Sequence, residues 1–407
     1  MMAQEIFRPA APPYHGPLPQ SRGHDPLSIL DLFNNCNISY GLPFPQACAK
    51  HAEETFHAKR VFVISSRTLA RSTSALKDLE SALGPKFAGV KFGLKAHTYL
   101  DEIIDIAAEC RTLEVDLIVT LGGGSLSDAA KMVSLALAND ATQSAEFLKL
   151  PTSRTAAEMP PAKAATVPVV CVATTLSGAE FTTAAGATDE RDNQKHQFIV
   201  GPAIQLVIFD AKFITDCTPL NLLLQSGVRA VDHCVEGMCS LLCNEVTEMH
   251  ATMGLEQLLP ALLRCKADGD AKTDVEARHL CQMASVNAIA TFRTSSILLP
   301  AVCKYNALHR ANLERQALVV AILWGVPDMR RLAESKGLKE GIADLGDLLD
   351  ILVRALSMPR TLKEVGIGRD KLDQLAEYSL LDVWSATNPA PLKEKAQVME
   401  ILEMVAG

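Results

Sequence analysis

A chain of 407 residues is long for one compact core, and two domains are the default expectation. Apolar residues make up 48% and charged residues 21%, the balance of an ordinary folded protein, and a net charge of −8 with no Lys/Arg cluster argues against a nucleic-acid partner. No apolar run approaches the length of a bilayer span and MMAQEIFRPAAPPYHGPLPQ lacks a signal-peptide core, so a membrane partner is not expected either. The eleven cysteines are scattered without a CxxC, and several sit in apolar runs such as VPVVCVATT. That pattern suits reduced, buried thiols in a cytoplasmic protein better than disulfides.

The Pro-rich first thirty residues lack periodicity and predict an arm or poorly ordered tail over 1–30. From 31 to 211 short apolar runs alternate with helical spacing. RVFVISS is a buried strand, TLARSTSALKDLESALG a helix closed by Gly84, GVKFGL a second strand and YLDEIIDIAAECRTLE an amphipathic helix. VDLIVTLGGGS is a third strand running into glycines, SDAAKMVSLALAN the helix after it, and VPVVCVATT a further strand beyond a Pro/Ala-rich loop. This alternation predicts an α/β domain with a parallel sheet covered on both faces. After IQLVIFDAKFI the pattern becomes helical, with Thr218-Pro219 read as an N-cap and first helical position. An all-α domain over 212–407 is expected.

LIVTLGGGSLSDAAK carries the most specific chemistry. A strand ends in Gly122, Gly123 and Gly124, and Ser125 opens a helix. Glycines allow a phosphate close to the backbone, and the helix N-terminus offers unpaired N–H groups with partial positive charge. The motif is neither GxGxxG nor a P-loop; a tight turn without a ligand is the alternative to a diphosphate site.

GGGSxxDxAK, with ATTLSGAEFTTAAGATDE (Ala173 to Glu190), resembles the iron-containing alcohol dehydrogenase family, which shares its fold with dehydroquinate synthase. Within that family the chain is most similar to the metal-independent maleylacetate reductases. The resemblance runs from ISYGLP (Ile38 to Pro43) to TNPAPL (Thr387 to Leu392). It implies a Rossmann-like dinucleotide-binding domain over 31–211, a helical domain over 212–407, NAD or NADP in the cleft between them, a small-molecule substrate and a homodimer. Carried over by motif, Gly122, Gly123, Gly124 and Ser125 would hold the diphosphate and Asp128 would support the turn. Thr174, Thr175 and Ser177 would line the nicotinamide side, and Lys195 would reach the ribose. The adenine-side strand ends in Ser65-Ser66-Arg67, without the carboxylate that would repel a 2′-phosphate, so NADH and NADPH both stay open.

SGVRAVDHCVEG, Ser226 to Gly237, bears on the metal. Metal-dependent members of the family set an aspartate and a histidine four residues apart on one helix face. Aligning His233 with that histidine puts Arg229 where the aspartate should be, and a guanidinium has no lone pair to donate. The later histidine-rich segment is missing, and ATFRTSS bridges the gap. A site made of Asp232, His233 and Glu236 is disfavoured because His233 is turned roughly 100° from Asp232 on an ideal helix. No metal is expected. Arg229 could instead bind a carboxylate or act as the electrophile, and His233 could supply a proton. Against this, Arg229 could pair with Glu236 and His233 could be a core histidine. Two functions follow: a metal-independent NAD(P)H-dependent reductase of an oxo acid or related carbonyl or enoate substrate, or a repurposed, non-redox enzyme or binding protein.

Overall fold

The computed structural model describes residues 4–10, 36–95, 98–153, 155, 158–241, 243–291, 298–380, 385 and 388–407. The chain divides into two compact units, Met1–Thr218 and Pro219–Gly407. No helix among the described residues is long and apolar enough to cross a membrane.

The first unit is α/β. Its strands are β1 (Ile6–Pro9), β2 (Asn37–Tyr40), β3 (Val61–Ser65), β4 (Phe87–Phe92), β5 (Leu117–Gly122), β6 (Val169–Ala173), β7 (Ala184–Thr188), β8 (Lys195–Ile199) and β9 (Ile204–Phe209). Seven form one sheet in the order β1-β2-β9-β6-β5-β3-β4. Every neighbouring pair is parallel except β1 with β2. The helices of this unit are α1 (Phe44–Glu54), α2 (Arg67–Ser72), α3 (Ala75–Leu83), α4 (Leu100–Thr112), α5 (Gly124–Ala138), α6 (Ser144–Phe147) and α7 (Ala211–Cys217).

Strands such as VFVIS are continuous apolar runs because both faces of the sheet are covered. Val61, Val63, Leu117, Val119, Val170 and Ile208 pack with Phe44, Ala47, Leu76 and Leu79 of α1 and α3. The opposite parity, Phe62, Ile64, Ile118 and Cys171, is equally buried. Each such Val or Ile contributes ~1.5–3 kcal/mol relative to exposure.

The strand order also fixes where a ligand can go. From β3 the chain moves outward to β4, then returns to place β5 on the other side of β3, with β6 beyond it. That reversal leaves a crevice at the carboxyl ends of β3 and β5, the ordinary ligand position in such sheets. The residues there are Ser65-Ser66 and Gly122-Gly123-Gly124, joined by the Ser66 N–H donating to Leu121 O at 3.0 Å.

The second unit is helical throughout its described residues: α8 (Leu220–Cys239), α9 (Glu245–Asp268), α10 (Val275–Ile289), α11 (Leu299–Leu308), α12 (Leu313–Gly325), α13 (Pro327–Ser335), α14 (Leu345–Ala355), α15 (Leu372–Leu380) and α16 (Lys395–Met404). Helices α8, α9 and α10 approach closely. A Cβ added at Gly227 would lie 2.3 Å from Leu262 Cδ2, and one at Gly254 would lie 2.7 Å from Cys234 Sγ.

Several local expectations need correction. Part of the supposed arm is strand β1, antiparallel to β2 and held by Glu5, whose carboxylate accepts from Ser39 Oγ, Lys50 Nζ and His51 Nε2; residues 11–35 lie outside the described residues. The helix expected after β3 is two helices, α2 and α3. Thr73 divides them by donating its hydroxyl to Leu69 O and accepting the Ala75 N–H. The antiparallel β7–β8 hairpin was not expected. Thr218 does not cap α8; its hydroxyl donates to Thr174 O at 3.0 Å. Helix α7 also belongs to the first unit, through Asp210, which accepts the Phe44 N–H, and through Phe213 packed on Phe44. The division therefore falls at Thr218/Pro219 and not at 211/212.

Candidate functional site

The glycine turn is a place where three chain segments meet too closely for side chains. Gly122 has φ 154°, and a Cβ there would lie 2.5 Å from Leu126 Cδ1 and 3.2 Å from Ser66 Cβ. At Gly123 it would lie 3.1 Å from Thr175 Cγ2, and at Gly124 2.5 Å from Ser177 Oγ. No side chain caps the start of α5, and Ser125 is exposed there. The first N–H groups of that helix are thus without a side-chain cap, and the Leu126 N–H donates back to Gly123 O at 2.9 Å.

The segment after β6 is tied to the same turn. The Thr174 N–H donates to Gly122 O at 3.1 Å, and Thr175 Oγ1 donates to Ser177 Oγ at 3.3 Å. Behind them lies Lys131, fully buried. Its ammonium donates to Ala179 O, Thr182 O, Thr182 Oγ1 and Ala184 O, and pairs with Asp128 Oδ1 at 2.8 Å. Asp128 thus bears on the turn through Lys131. Glu180 is also buried and accepts from Ser127 Oγ at 3.2 Å, and burial pushes its carboxyl up. Sequence reasoning gave neither Lys131 nor Glu180 a role. The available signal was a lysine inside SDAAKMVSLALA, a helix buried on nearly every side.

The structure brings Gly122, Gly123, Gly124, Ser125, Asp128, Thr174, Thr175 and Ser177 into one neighbourhood. Lys195 stands apart, exposed on β8 opposite Thr188, with its stem over Gly186. Thr188 ends the strand that Lys131 grips at Ala184, about 13 Å along it. The same hairpin holds Asp189, Asp192 and His196, whose ligand atoms lie within 4.8 Å of one another. Arg191 already occupies Asp189, donating to both carboxylate oxygens and holding its carboxyl down at about 2.

In the second unit, Arg229 and His233 lie on α8. The Arg229 side chain is 31% exposed, and its Nη1 lies 3.8 Å from Asp232 Oδ2, beyond hydrogen-bond distance. Asp232 is fully buried, and neither carboxylate oxygen has a hydrogen-bond partner among the described residues. Burial, with Glu236 one turn on, pushes its carboxyl well above the usual range against the opposing effect of Arg229. His233 is buried, and burial together with Arg229 pushes its imidazole down to about 3. Its backbone carbonyl accepts from Thr291 Oγ1 at 2.7 Å. Residues 292–297, most of the expected bridging segment, lie outside the described residues. A cavity of about 430 Å³ at the start of α8, lined by Leu220, Leu224, Lys266 and Met358 among others, contains neither Arg229 nor His233.

Two family descriptions match this chain: iron-containing alcohol dehydrogenase over residues 44–211, and the C-terminal part of the Fe-containing alcohol dehydrogenase family over residues 289–406. The chain belongs to the iron-containing alcohol dehydrogenase family. It is 33% identical over 413 residues to Dehydrogenase FUM7 of Gibberella moniliformis, covering 91% of this chain and 96% of that one. It is 24% identical over 363 residues to Maleylacetate reductase 1 of Cupriavidus pinatubonensis, covering 83% and 86%. Its fold matches that of sulfoacetaldehyde reductase from Bifidobacterium kashiwanohense, solved in complex with NAD+, with TM-score 0.70 and 17% identity over 91% and 96% of the two chains. The chain is therefore an oxidoreductase of the dehydrogenase/reductase type, with an α/β first unit and a helical second unit.

The ion in the family's name finds poor donors on α8. Position 229 offers a guanidinium, which cannot ligate, and its charge lies beside the next carboxylate. Burial, and then the same cation, depress His233, and the Arg229 charge would oppose an approaching metal ion as it opposes a proton. These residues do not fit a cation.

Proposed function

We propose that this oxidoreductase is a metal-independent, NAD(P)H-dependent reductase of an oxo acid or a related small carbonyl or enoate substrate. The observation that carries the proposal is Arg229, a partly exposed cation at the position where the family's metal-dependent members place a carboxylate ligand. Dinucleotide binding is supported by the uncapped start of α5, the three close-packed glycines at the sheet's switch point, and the fold shared with an NAD+-bound reductase.

A reduced nicotinamide, when bound, supplies the hydride. The chain's own groups then have distinct tasks. The α5 N–H groups and Ser125 hold the diphosphate, and Thr174, Thr175 and Ser177 border that turn. Arg229 binds a substrate carboxylate through its planar fork, or stabilises the oxyanion that forms on the carbonyl oxygen as its carbon accepts hydride. His233, held neutral, works as a hydrogen-bond partner and not as a cationic acid.

Titration with NADH and with NADPH, following nicotinamide fluorescence, tests the proposal. Saturable binding with a blue shift or quench by either is expected. Absence of binding to both at millimolar concentration would overturn it in favour of a scaffold repurposed for non-redox chemistry.

A further inference from the structure

We propose that Asp232, in its protonated form, is a positioning residue for Arg229, keeping the guanidinium uncommitted so that it can take a carboxylate from the substrate. The inference rests on Arg229 being the anion-binding group proposed above.

The geometry sets the problem. Asp232 and Arg229 are three residues apart on α8, near neighbours on a helix surface. An ionised carboxylate at that spacing, in a medium too dry to screen it, should draw the guanidinium into a short, charge-assisted pair, with N···O near ~2.8 Å. The observed separation is 3.8 Å, and neither Asp232 oxygen has a hydrogen bond among the described residues. Arg229 keeps 31% of its side chain exposed while Asp232 keeps none. A neutral carboxylic acid explains the separation and the contrast in exposure, since it has no charge to hold the arginine and costs far less to bury than an ion.

The surroundings agree. Glu236, one turn along the same face, opposes a second negative charge, and burial works in the same direction. Burial pushes the thiols of Cys234 on α8 and Cys303 on α11 up, so both stay uncharged. Among the described residues, several charged and titratable groups on the helices packed against α8 have partners of their own. His250 of α9 bonds Asn287 of α10, and Arg315 of α12 pairs with Glu248. His279 of α10 is half-buried, and burial pushes its imidazole down. Among the described residues, Arg229 is the cation beside Asp232 and the one that would respond if Asp232 lost its proton. Ionisation would capture the guanidinium and remove it from the substrate, so anion affinity should fall as pH rises.

The test uses the full-length protein saturated with whichever dinucleotide it binds, and maleate as the probe anion. Calorimetry across the pH range in which the protein stays folded should show wild-type affinity for maleate falling with pH by roughly tenfold or more once Asp232 ionises. D232N, isosteric and unable to ionise, should bind maleate with no such fall. R229A should bind it at least roughly tenfold more weakly at every pH. Infrared difference spectra should show the carbonyl band of a protonated carboxylic acid in wild type that is absent from D232N. If R229A binds maleate as wild type does, the role proposed for Arg229 fails. If R229A loses binding but D232N keeps the wild-type pH dependence, or wild-type affinity does not vary with pH, or no infrared band is lost, Asp232 alone is wrongly assigned.

Discussion

Lys131 and Asp232 are each fully buried on a long helix, one in each unit, and the chain treats them in opposite ways. Lys131 has four hydrogen bonds and an ion pair, with acceptors drawn from three residues of the 179–184 segment. Asp232 has no hydrogen bond among the described residues, and its neighbouring cation is held 3.8 Å away. A buried charge with every bond made is a structural rivet. A buried carboxyl left without hydrogen bonds costs stability and is kept for another reason. The difference separates a region built to hold a turn rigid from one built to keep a cation available.

The largest effect should come from breaking the rivet. K131M leaves Asp128 without its cation and removes four hydrogen bonds to the 179–184 segment, so the first unit should lose ~3–5 kcal/mol, read as a thermal midpoint lower by ~10 °C or more. A midpoint within a degree or two of wild type would mean that the network is not what fixes the turn.

The second test addresses the other helix. R229A should lower turnover roughly ten- to a hundredfold, corresponding to ~1.5–3 kcal/mol, and R229K should restore it only in part because it lacks the planar fork. The thermal midpoint of R229A should barely move, because a protonated Asp232 is not left as an unpaired ion. Lost stability with turnover per folded molecule unchanged would make Arg229 structural and erase the contrast with Lys131.

Gly123 links structure to ligand. From the sequence alone, G123V should abolish dinucleotide binding and leave the midpoint untouched. The 3.1 Å approach of Thr175 Cγ2 changes that expectation. A valine here should cost ~1–3 kcal/mol of stability as well as binding, measurable by thermal unfolding beside a fluorescence titration. Binding retained with wild-type affinity would move the diphosphate away from the turn.

The smallest effect is a pH limb. The His233 imidazole is pushed down from 6.5 to about 3, so between those values the unfolded chain binds a proton that the folded chain refuses. Stability from this group is complete above the unfolded value and is lost as pH falls toward the folded one. H233Q should therefore flatten part of the acid limb of the stability–pH curve; an unchanged limb would assign that limb to other groups.

The core of the fold was legible because β3, β5, β6 and β9 are dense apolar runs and the turn after β5 spells out its glycines. The β7–β8 hairpin was not, because AAGAT and KHQFI mix small and polar residues and carry no long apolar run. Strand β1 was hidden by the prolines around it; what fixes it is Glu5 reaching Ser39, Lys50 and His51, contacts far apart in sequence. At the candidate site, helical spacing put Arg229 and His233 one turn apart. It also turned Asp232 away from His233, and a search for metal ligands then passed over it. Its importance lies in burial without hydrogen bonds, which only packing reveals.

Metal content tests most directly whether an arginine has replaced the ion on α8. Elemental analysis of the purified protein should be combined with calorimetric titration of ferrous iron and zinc into wild type, H233A and H196A. No stoichiometric ion at His233 is predicted: wild type and H233A should behave alike, and any weak binding should be lost only in H196A, where Asp189 and Asp192 complete the group on the β7–β8 hairpin. One tightly held ion per chain, lost in H233A and kept in H196A, would contradict the proposal.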